Sequence, residues 1–182
     1  LEEAVPAVRE FAAQGIRATL DLLGEGVTLP AETEVMRERY IRVLRDIRGC
    51  GLDSSISLKL TQLGLEIYPG LCRRNFRSIL EEAVSLGCFV RIDMESSAFT
   101  QATIDLFREH LAEFGPRHLG IVIQACLYRS EGDLSELCRL GSNIRLCKGA
   151  YMEPEIVAFP RKRDVDRNFR KLAEIMLLSG GF

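Results

Sequence analysis

The stretch Ser55-Ile-Ser-Leu-Lys-Leu60 alternates polar and apolar side chains. Because successive side chains of a β-strand point to opposite faces, this alternation predicts a strand with Ile56, Leu58 and Leu60 on one face. The following segment, Arg73–Leu86, instead repeats its apolar residues every three or four positions, which is the spacing of an amphipathic helix. Together the two segments predict one βα unit, in which the apolar strand face packs against helices.

The same unit recurs along the chain. Five strand-like runs are present, at Ile16–Leu22, Ser55–Leu60, Phe89–Met94, Leu119–Ala125 and Asn143–Lys148. Each is followed by a segment with helical spacing, at Glu32–Arg48, Arg73–Leu86, Thr100–Phe114, Gly132–Leu140 and Val165–Leu178. Strands that alternate with helices in this way predict a parallel sheet of the α/β class.

Two architectures contain repeated βα units, the open doubly wound sheet and the (β/α)8 TIM barrel. The first βα turn, Asp21-Leu-Leu-Gly-Glu-Gly-Val27, lacks the GxGxxG pattern of dinucleotide-binding doubly wound folds. The phosphate-binding pattern GxxxxGK(S/T) is also missing from the sequence. We therefore predict a barrel, with residues 1–182 forming a single domain that supplies about five of its eight βα units.

Composition excludes several classes of protein. The chain has 182 residues with 47% hydrophobic content, a balance typical of globular proteins rather than disordered ones. Because 24 basic residues face 26 acidic ones, electrostatics gives no reason to expect nucleic acid as a partner. The six cysteines show no CxxC spacing, so we expect reduced thiols in a cytoplasmic protein and no metal site.

Charged and polar side chains lie at or near the carboxyl ends of all five predicted strands. They are Asp21, Lys59, Asp93, Gln124 and Arg145. Barrel enzymes place their active sites at this end of the strands. The two acids and two bases balance in charge, and they are also compatible with a closed ion-pair network that only fills the barrel mouth. Lys and Arg together favour a ligand with a carboxylate or phosphate group.

The segment Ile144–Ile156, with the sequence IRLCKGAYMEPEI, follows the fifth strand and is the most informative stretch for function. Gly149 allows a ligand to approach the backbone closely, and Lys148 and Tyr151 flank it. A flat cofactor beside Arg145 and under Tyr151 is compatible with this pattern. A cation next to a flavin stabilises its reduced, anionic form. These residues alone therefore indicate a barrel enzyme with an anionic ligand and room for a cofactor.

Six segments extend this interpretation, because they resemble the monofunctional proline dehydrogenase family in order and spacing. They are ATLDLLGE (18–25), SISLKLTQLGL (55–65), VRIDMESS (90–97), GIVIQACLYRSEGDL (120–134), IRLCKGAYMEPE (144–155) and AFPRKRDVDRNF (158–169). The resemblance implies a distorted (β/α)8 barrel that binds FAD non-covalently. It also implies an oxidoreductase that converts L-proline to 1-pyrroline-5-carboxylate in proline catabolism and passes electrons to a membrane quinone.

The resemblance also implies a role for each matching position. It implies catalytic roles for Asp93 and Arg145, substrate contacts at Lys59 and Tyr151, FAD contacts at Met94, Gln124, Lys148, Gly149 and Ala150, and a gate at Asp21 and Glu25. In this assignment Lys59 pairs with the proline carboxylate and Tyr151 borders the proline ring. Asp93 organises the basic groups, and Arg145 lies by flavin N5, the hydride acceptor. The gate acids close the site by pairing with a distant arginine.

This chain departs from the family pattern at a few positions. Cys126 stands where the family usually has an aromatic residue, and Cys147 where it often has Val. The chain ends before the sixth strand that the family has, so we expect it to be truncated at its C-terminus. On that basis residues 1–182 alone are predicted to have no proline-oxidising activity and to retain no flavin. The alternatives are an inactive barrel fragment and a flavin enzyme that acts on another cyclic amine.

The predicted location is the cytoplasm, with peripheral association on the inner face of the bacterial membrane as a further option. No run approaches 18 apolar residues, so no membrane-spanning helix is expected. The basic run Arg161-Lys162-Arg163 is the candidate for a membrane contact, but a solvated loop is the favoured interpretation.

Overall fold

The computed structural model describes residues 4–24 and 27–180. Its strands are β1 (Ala18–Asp21), β2 (Ser54–Leu58), β3 (Val90–Ile92), β4 (Leu119–Gln124) and β5 (Asn143–Cys147). Its α-helices are α1 (Ala4–Ala13), α2 (Pro30–Gly49), α3 (Pro69–Leu86), α4 (Ser97–Phe114), α5 (Ser130–Arg139) and α6 (Lys162–Ser179). A single 3₁₀ turn at Thr61–Leu63 follows β2 within these described residues.

The pairing of the strands confirms the parallel α/β prediction. β1 pairs with β2 in parallel, with Asp21 opposite Ser57. β4 pairs with β5 in parallel, with Gln124 opposite Cys147. The strand order is β1-β2-β3-β4-β5, which is the order of the chain. A doubly wound sheet reverses its strand order at a switch point, so the open-sheet alternative is wrong and the barrel-type order is correct.

The amphipathic spacing of α3 explains why this segment is helical and which face it buries. Phe76, Ile79 and Leu80 are completely inaccessible to solvent, as the three-and-four spacing predicts. Proline in the first turn costs no hydrogen bond, because the first amides of a helix lack an intrahelical acceptor. The helix ends at Gly87, whose φ of 66° places it in the left-handed region that favours glycine.

The chain folds as two compact units, Leu1–Arg91 and Ile92–Phe182. The core of the first unit includes the buried side chains of Tyr40, Leu44, Ile56, Leu58, Leu60, Phe76 and Ile79. The core of the second unit includes those of Phe107, Leu119, Ile121, Ile123, Leu134, Leu137 and Leu172. The apolar positions Ile56 and Leu58 of β2, and Leu60 after it, are all fully buried as predicted, and Ser57 on the opposite face is buried as well.

Several predicted boundaries differ from the structure. β2 ends at Leu58, so Lys59 lies in the connection after the strand, and β3 ends at Ile92, so Asp93 and Met94 also follow their strand. Helix α1 was absent from the predicted elements, although Val5, Val8 and Phe11 recur at helical spacing, and among its residues only Val8 is buried.

The interpretation of Arg161-Lys162-Arg163 as a loop is wrong for its last two residues, which begin α6. Arg161 precedes the helix, and its Nε donates a hydrogen bond of 2.6 Å to Oδ2 of Asp164. An acidic residue in the first turn also interacts favourably with the helix dipole. All three basic side chains are exposed, so their predicted solvation is correct.

Candidate functional site

In the first unit, an acid and a base meet at the ends of neighbouring strands. Asp21 is the last residue of β1, and Lys59 follows β2 directly. The Lys59 ammonium lies 3.0 Å from Oδ2 of Asp21, and both side chains are largely shielded, with exposures of 21% and 30%. The parallel register that brings Asp21 beside Ser57 also brings it within reach of Lys59, two residues further along. The pair holds a cation at the carboxyl ends of β1 and β2.

In the second unit, a matching pair involves Asp93, which follows β3, and Arg145 on β5. Nη2 of Arg145 donates to Oδ1 of Asp93 at 2.5 Å. Asp93 is the more buried partner with 18% of its side chain exposed, against 46% for Arg145. The guanidinium therefore remains accessible to a ligand while the carboxylate orients it. Each unit thus pairs one of the two acids with one of the two bases at its strand ends.

Gln124 ends β4 as a buried amide with one open acceptor. Its side chain is 3% exposed, and its Nε2 donates a hydrogen bond of 2.8 Å to the main-chain oxygen of Met94. The hydroxyl of Ser130 donates to the main-chain oxygen of Gln124 and so fixes the end of the strand. Among the described residues, none donates a hydrogen bond to Oε1 of Gln124. A buried acceptor without a partner is costly, so this atom is suited to a ligand N–H.

Gly149 follows β5 and needs to be glycine for two reasons. Its φ is +97°, a conformation that side chains rarely adopt. A Cβ at this position would also overlap with Sγ of Cys126. The neighbouring backbone is fixed, because the amide of Cys126 donates to the carbonyl of Lys148 at 2.9 Å. The exposed backbone at Gly149 and Ala150 therefore offers a ligand a surface free of bulky side chains.

All six cysteines are free thiols, as predicted. Burial raises the pKa of Cys126 and of Cys147, the two that flank Gly149, so both stay protonated at neutral pH. Cys126 thus acts here as a small apolar side chain that packs against Gly149.

Lys148 has an acidic partner that sequence reasoning missed. Its ammonium lies 2.5 Å from Oδ1 of Asp166, in the second turn of α6. The hydrogen bond from Lys148 lowers the pKa of the Asp166 carboxyl. The ammonium of Lys148 also lies 5.9 Å from the centroid of the Phe169 ring. The pair fixes Lys148 against α6 while half of its side chain stays exposed.

The remaining predicted residues are less constrained. Tyr151 is 42% exposed in the loop after β5. Asp21, a predicted gate acid, is paired with Lys59. The second predicted gate acid, Glu25, lies outside the described residues. The gate and its distant arginine stay a prediction.

A buried amide in the first unit was also missed. Gln62 lies in the 3₁₀ turn after β2, and its Nε2 donates to the carbonyls of Leu22 and Gly24 at 3.0 and 2.6 Å. Its Oε1 accepts the hydroxyl hydrogen of Tyr40 at 2.5 Å. Gln62 thereby fixes the connection that follows Asp21. Its partners are 22 to 40 residues away in sequence, so no local pattern marks it.

Comparison with known proteins places this geometry in a family. The family model described as proline dehydrogenase matches residues 4–181. The chain belongs to the proline dehydrogenase family. Proline dehydrogenase of Deinococcus radiodurans is 38% identical over 185 residues, and proline dehydrogenase 2 of Bacillus subtilis is 40% identical over 181 residues. These alignments cover 100% and 98% of this chain but only 60% and 58% of the two relatives.

Solved structures share the fold of this proline dehydrogenase family member. Proline utilization A from Bdellovibrio bacteriovorus, inactivated by N-propargylglycine, superposes with a TM-score of 0.88 at 22% identity. The superposition covers 100% of this chain and 23% of that protein. At this identity the likeness shows the fold alone, and it supports the partial, distorted (β/α)8 barrel inferred from the strand order.

Residues 4–24 and 27–180 contain no group of three or more His, Cys, Asp or Glu side chains arranged to hold a metal ion. Across the same residues, none of the helices is both long and apolar enough to cross a membrane.

Proposed function

We propose that the complete protein oxidises L-proline to 1-pyrroline-5-carboxylate, with FAD as the hydride acceptor and a membrane quinone as the final electron acceptor. The observation that carries this proposal is the family match over residues 4–181, together with 38–40% identity to named proline dehydrogenases. The charged and amide side chains at the strand ends support it, because they occupy the end at which barrel enzymes bind ligands.

The residues of the second unit fit a flavin. The open acceptor of Gln124 suits a ring N–H, and the glycine backbone at position 149 accepts a group that a Cβ would exclude. Lys148 and Arg145 supply positive charge, which suits the pyrophosphate or the reduced ring of FAD. We propose that these residues, with Met94 and Ala150, hold the cofactor.

FAD, when bound, supplies a two-electron acceptor for the hydride from the proline ring carbon next to nitrogen. The role proposed for Arg145 is to place a positive charge beside that acceptor, where it favours the reduced state. The role proposed for Asp93 is to orient the guanidinium through their 2.5 Å contact. The carboxylate of Asp93 is occupied by Arg145, so we propose that the substrate amine loses its proton to solvent before hydride transfer.

Lys59 and Tyr151 are the proposed substrate contacts. The ammonium of Lys59 lies 3.0 Å from the carboxylate of Asp21 at the strand ends, and its positive charge suits a carboxylate ligand. Tyr151 offers an exposed aromatic side chain to border an apolar ring. We propose that Lys59 selects for the amino-acid carboxylate and that Tyr151 selects for the ring.

The quinone implies contact with a membrane, and we propose that this contact is peripheral and that the protein is otherwise cytoplasmic. A second candidate function is oxidation of another cyclic amine. The exposed position of Tyr151 favours this second candidate, since an aromatic side chain that is open to solvent leaves room for a substrate larger than proline.

The proposal can be tested by spectroscopy of the purified complete protein. We expect the purified protein to show a flavin absorption spectrum, and proline to bleach it under anaerobic conditions with formation of 1-pyrroline-5-carboxylate. The six-membered ring homologue of proline is the comparison substrate, and faster bleaching by it would favour the second candidate. A complete protein without flavin, or without bleaching by either compound, would contradict the proposal. Expression of residues 1–182 alone tests the predicted inactivity of this fragment.

A further inference from the structure

One side chain holds the middle of the connection between β5 and α6. In residues 151–156 of this connection, every residue is exposed except Glu153, which is half-buried. Met152 and Ile156 extend almost entirely into solvent. Glu153 is therefore the least exposed residue of this segment.

Glu153 contacts the first residue of α4. The amide of Ser97 donates to Oε1 of Glu153 at 2.7 Å, and the hydroxyl of Ser97 donates to Oε2. Both donors belong to one residue, so the carboxylate is held in a two-point contact. A carboxylate at the N-terminus of a helix also gains from unpaired amides and from the helix dipole.

The far end of the connection is anchored separately. The hydroxyl of Tyr128 donates to the carbonyl of Glu155 at 2.9 Å, and the amide of Tyr128 donates to the carbonyl of Val157 at 3.0 Å. The near end continues from β5 through Gly149. Between these anchors, the carboxylate of Glu153 supplies a contact that holds the segment against α4.

We infer that Glu153 is a positioning residue for the active site. Glu153 lies in the β5–α6 connection, which also carries Gly149 and Tyr151. Its contact with Ser97 links this segment to the start of α4, directly after the β3–α4 connection that carries Asp93. This inference rests on the proposed function for the roles of those three residues. The link between the two segments, which we call the Glu153–Ser97 tie, rests on the two hydrogen bonds alone.

Loss of the carboxylate should loosen substrate binding more than it slows turnover. We expect Glu153→Ala in the complete protein to raise the KM for proline about tenfold, since hydrogen bonds to a charged group are among the stronger ones in proteins. We expect kcat to change by less than about twofold, because a ring contact at Tyr151 acts on substrate and transition state alike. Glu153→Gln keeps one acceptor for the Ser97 amide and should give an intermediate KM.

Glu155→Ala is the matched control. It removes the same charge from the same segment, two residues away, at an exposed position. Its contact with Tyr128 is made by the backbone, which the substitution retains. Ser97→Ala should raise the KM in the same direction as Glu153→Ala, and the double variant should be no worse than Glu153→Ala.

Amide hydrogen exchange supplies a measurement that does not depend on activity. We expect faster exchange at residues 151–153 in Glu153→Ala than in Glu155→Ala. Equal exchange and equal KM in these two variants would overturn the inference, as would additive effects in the double variant. If exchange differs but proline is not oxidised by the unsubstituted protein, the tie is correct and the proposed function is wrong.

Discussion

Tyr40 and Gln62 form a buried hydrogen bond of 2.5 Å, in which the phenol donates to the amide oxygen. The other end of the Gln62 amide is also hydrogen-bonded, because its nitrogen donates to the carbonyls of Leu22 and Gly24. The three bonds connect α2, the turn after β2 and the connection after β1. This small network therefore determines where the backbone beyond Asp21 begins its path.

Removing the phenol tests this network. We expect Tyr40→Phe to lower the free energy of unfolding by about 1–3 kcal/mol, since it leaves a buried amide oxygen without its donor. Urea unfolding of the complete protein measures the change. Tyr68→Phe is the control, because the Tyr68 side chain is 59% exposed and its loss of a hydroxyl should cost little. Equal stability of the two variants would show that the bond contributes nothing.

Arg145 should matter far more for catalysis than for stability. We expect Arg145→Met to reduce kcat/KM for proline by about 10²–10³, as is usual when a group that stabilises developing charge is removed. The free energy of unfolding should fall by no more than about 1 kcal/mol, since the pair with Asp93 is partly exposed. Arg145→Lys should retain part of the activity, and Arg163→Met, at an exposed position of α6, should retain all of it.

Lys59 should act through the substrate carboxylate. We expect Lys59→Ala to raise the KM for proline at least about tenfold, since it removes a charge-assisted contact. Proline methyl ester, which has no carboxylate, is the diagnostic substrate, and its KM should change little. An equal rise in the KM for proline and for the ester would indicate instead that Lys59 supports the local structure through its ion pair with Asp21. Near-normal proline turnover in both Lys59→Ala and Arg145→Met would remove the basis of the site assignment.

Gly149 should tolerate no side chain while Cys126 is present. We expect Gly149→Ala to weaken flavin retention, because the new methyl group overlaps with the thiol and the φ of +97° is strained for alanine. The double variant with Cys126→Ala removes the overlap and should recover part of the bound flavin. The flavin-to-protein absorbance ratio after gel filtration measures both effects. No recovery in the double variant would assign the loss to backbone strain alone.

The pair of Lys148 and Asp166 should make stability depend on acid pH. Because the folded protein has the lower pKa at Asp166, the pair stabilises it above the ordinary Asp pKa of about 4 and loses this contribution as the pH falls further. We expect Asp166→Asn to be less stable than the parent protein at pH 6, and this difference to be smaller near pH 2. Urea unfolding at the two pH values, with and without 1 M salt, measures this. The exposed Asp53 supplies the control variant Asp53→Asn, for which no such convergence is expected.

The βα repeat could be predicted because its causes are local. Alternation in Ser55–Leu60 and the three-and-four spacing in Arg73–Leu86 each follow from which side chains are buried, and the structure buries those positions. The pairing of Asp93 with Arg145 could also be anticipated, since parallel strands bring their carboxyl ends to one edge. Strand ends were less predictable. Lys59 continues the alternation of β2 although the strand stops one residue earlier.

Long-range polar contacts could not be predicted in the same way. Ser97 and Glu153 are 56 residues apart, and neither position differs in sequence from an ordinary helix start or loop acid. Gln62 has a polar side chain in an apolar neighbourhood, which signals a buried partner but does not say which one. Helix α1 was missed for a different reason, since Val5, Val8 and Phe11 recur at helical spacing, but the helix precedes the first strand and so lies outside the βα repeat.

The contact between Cys126 and Gly149 makes the choice of residue at one position depend on the other, although they lie far apart in the sequence. A Cβ at position 149 would overlap with the sulfur of Cys126, quite apart from the strain of the positive φ. The thiol therefore acts as a second constraint that keeps position 149 a glycine. A side chain could evolve at position 149 only after the side chain at position 126 became smaller or turned away.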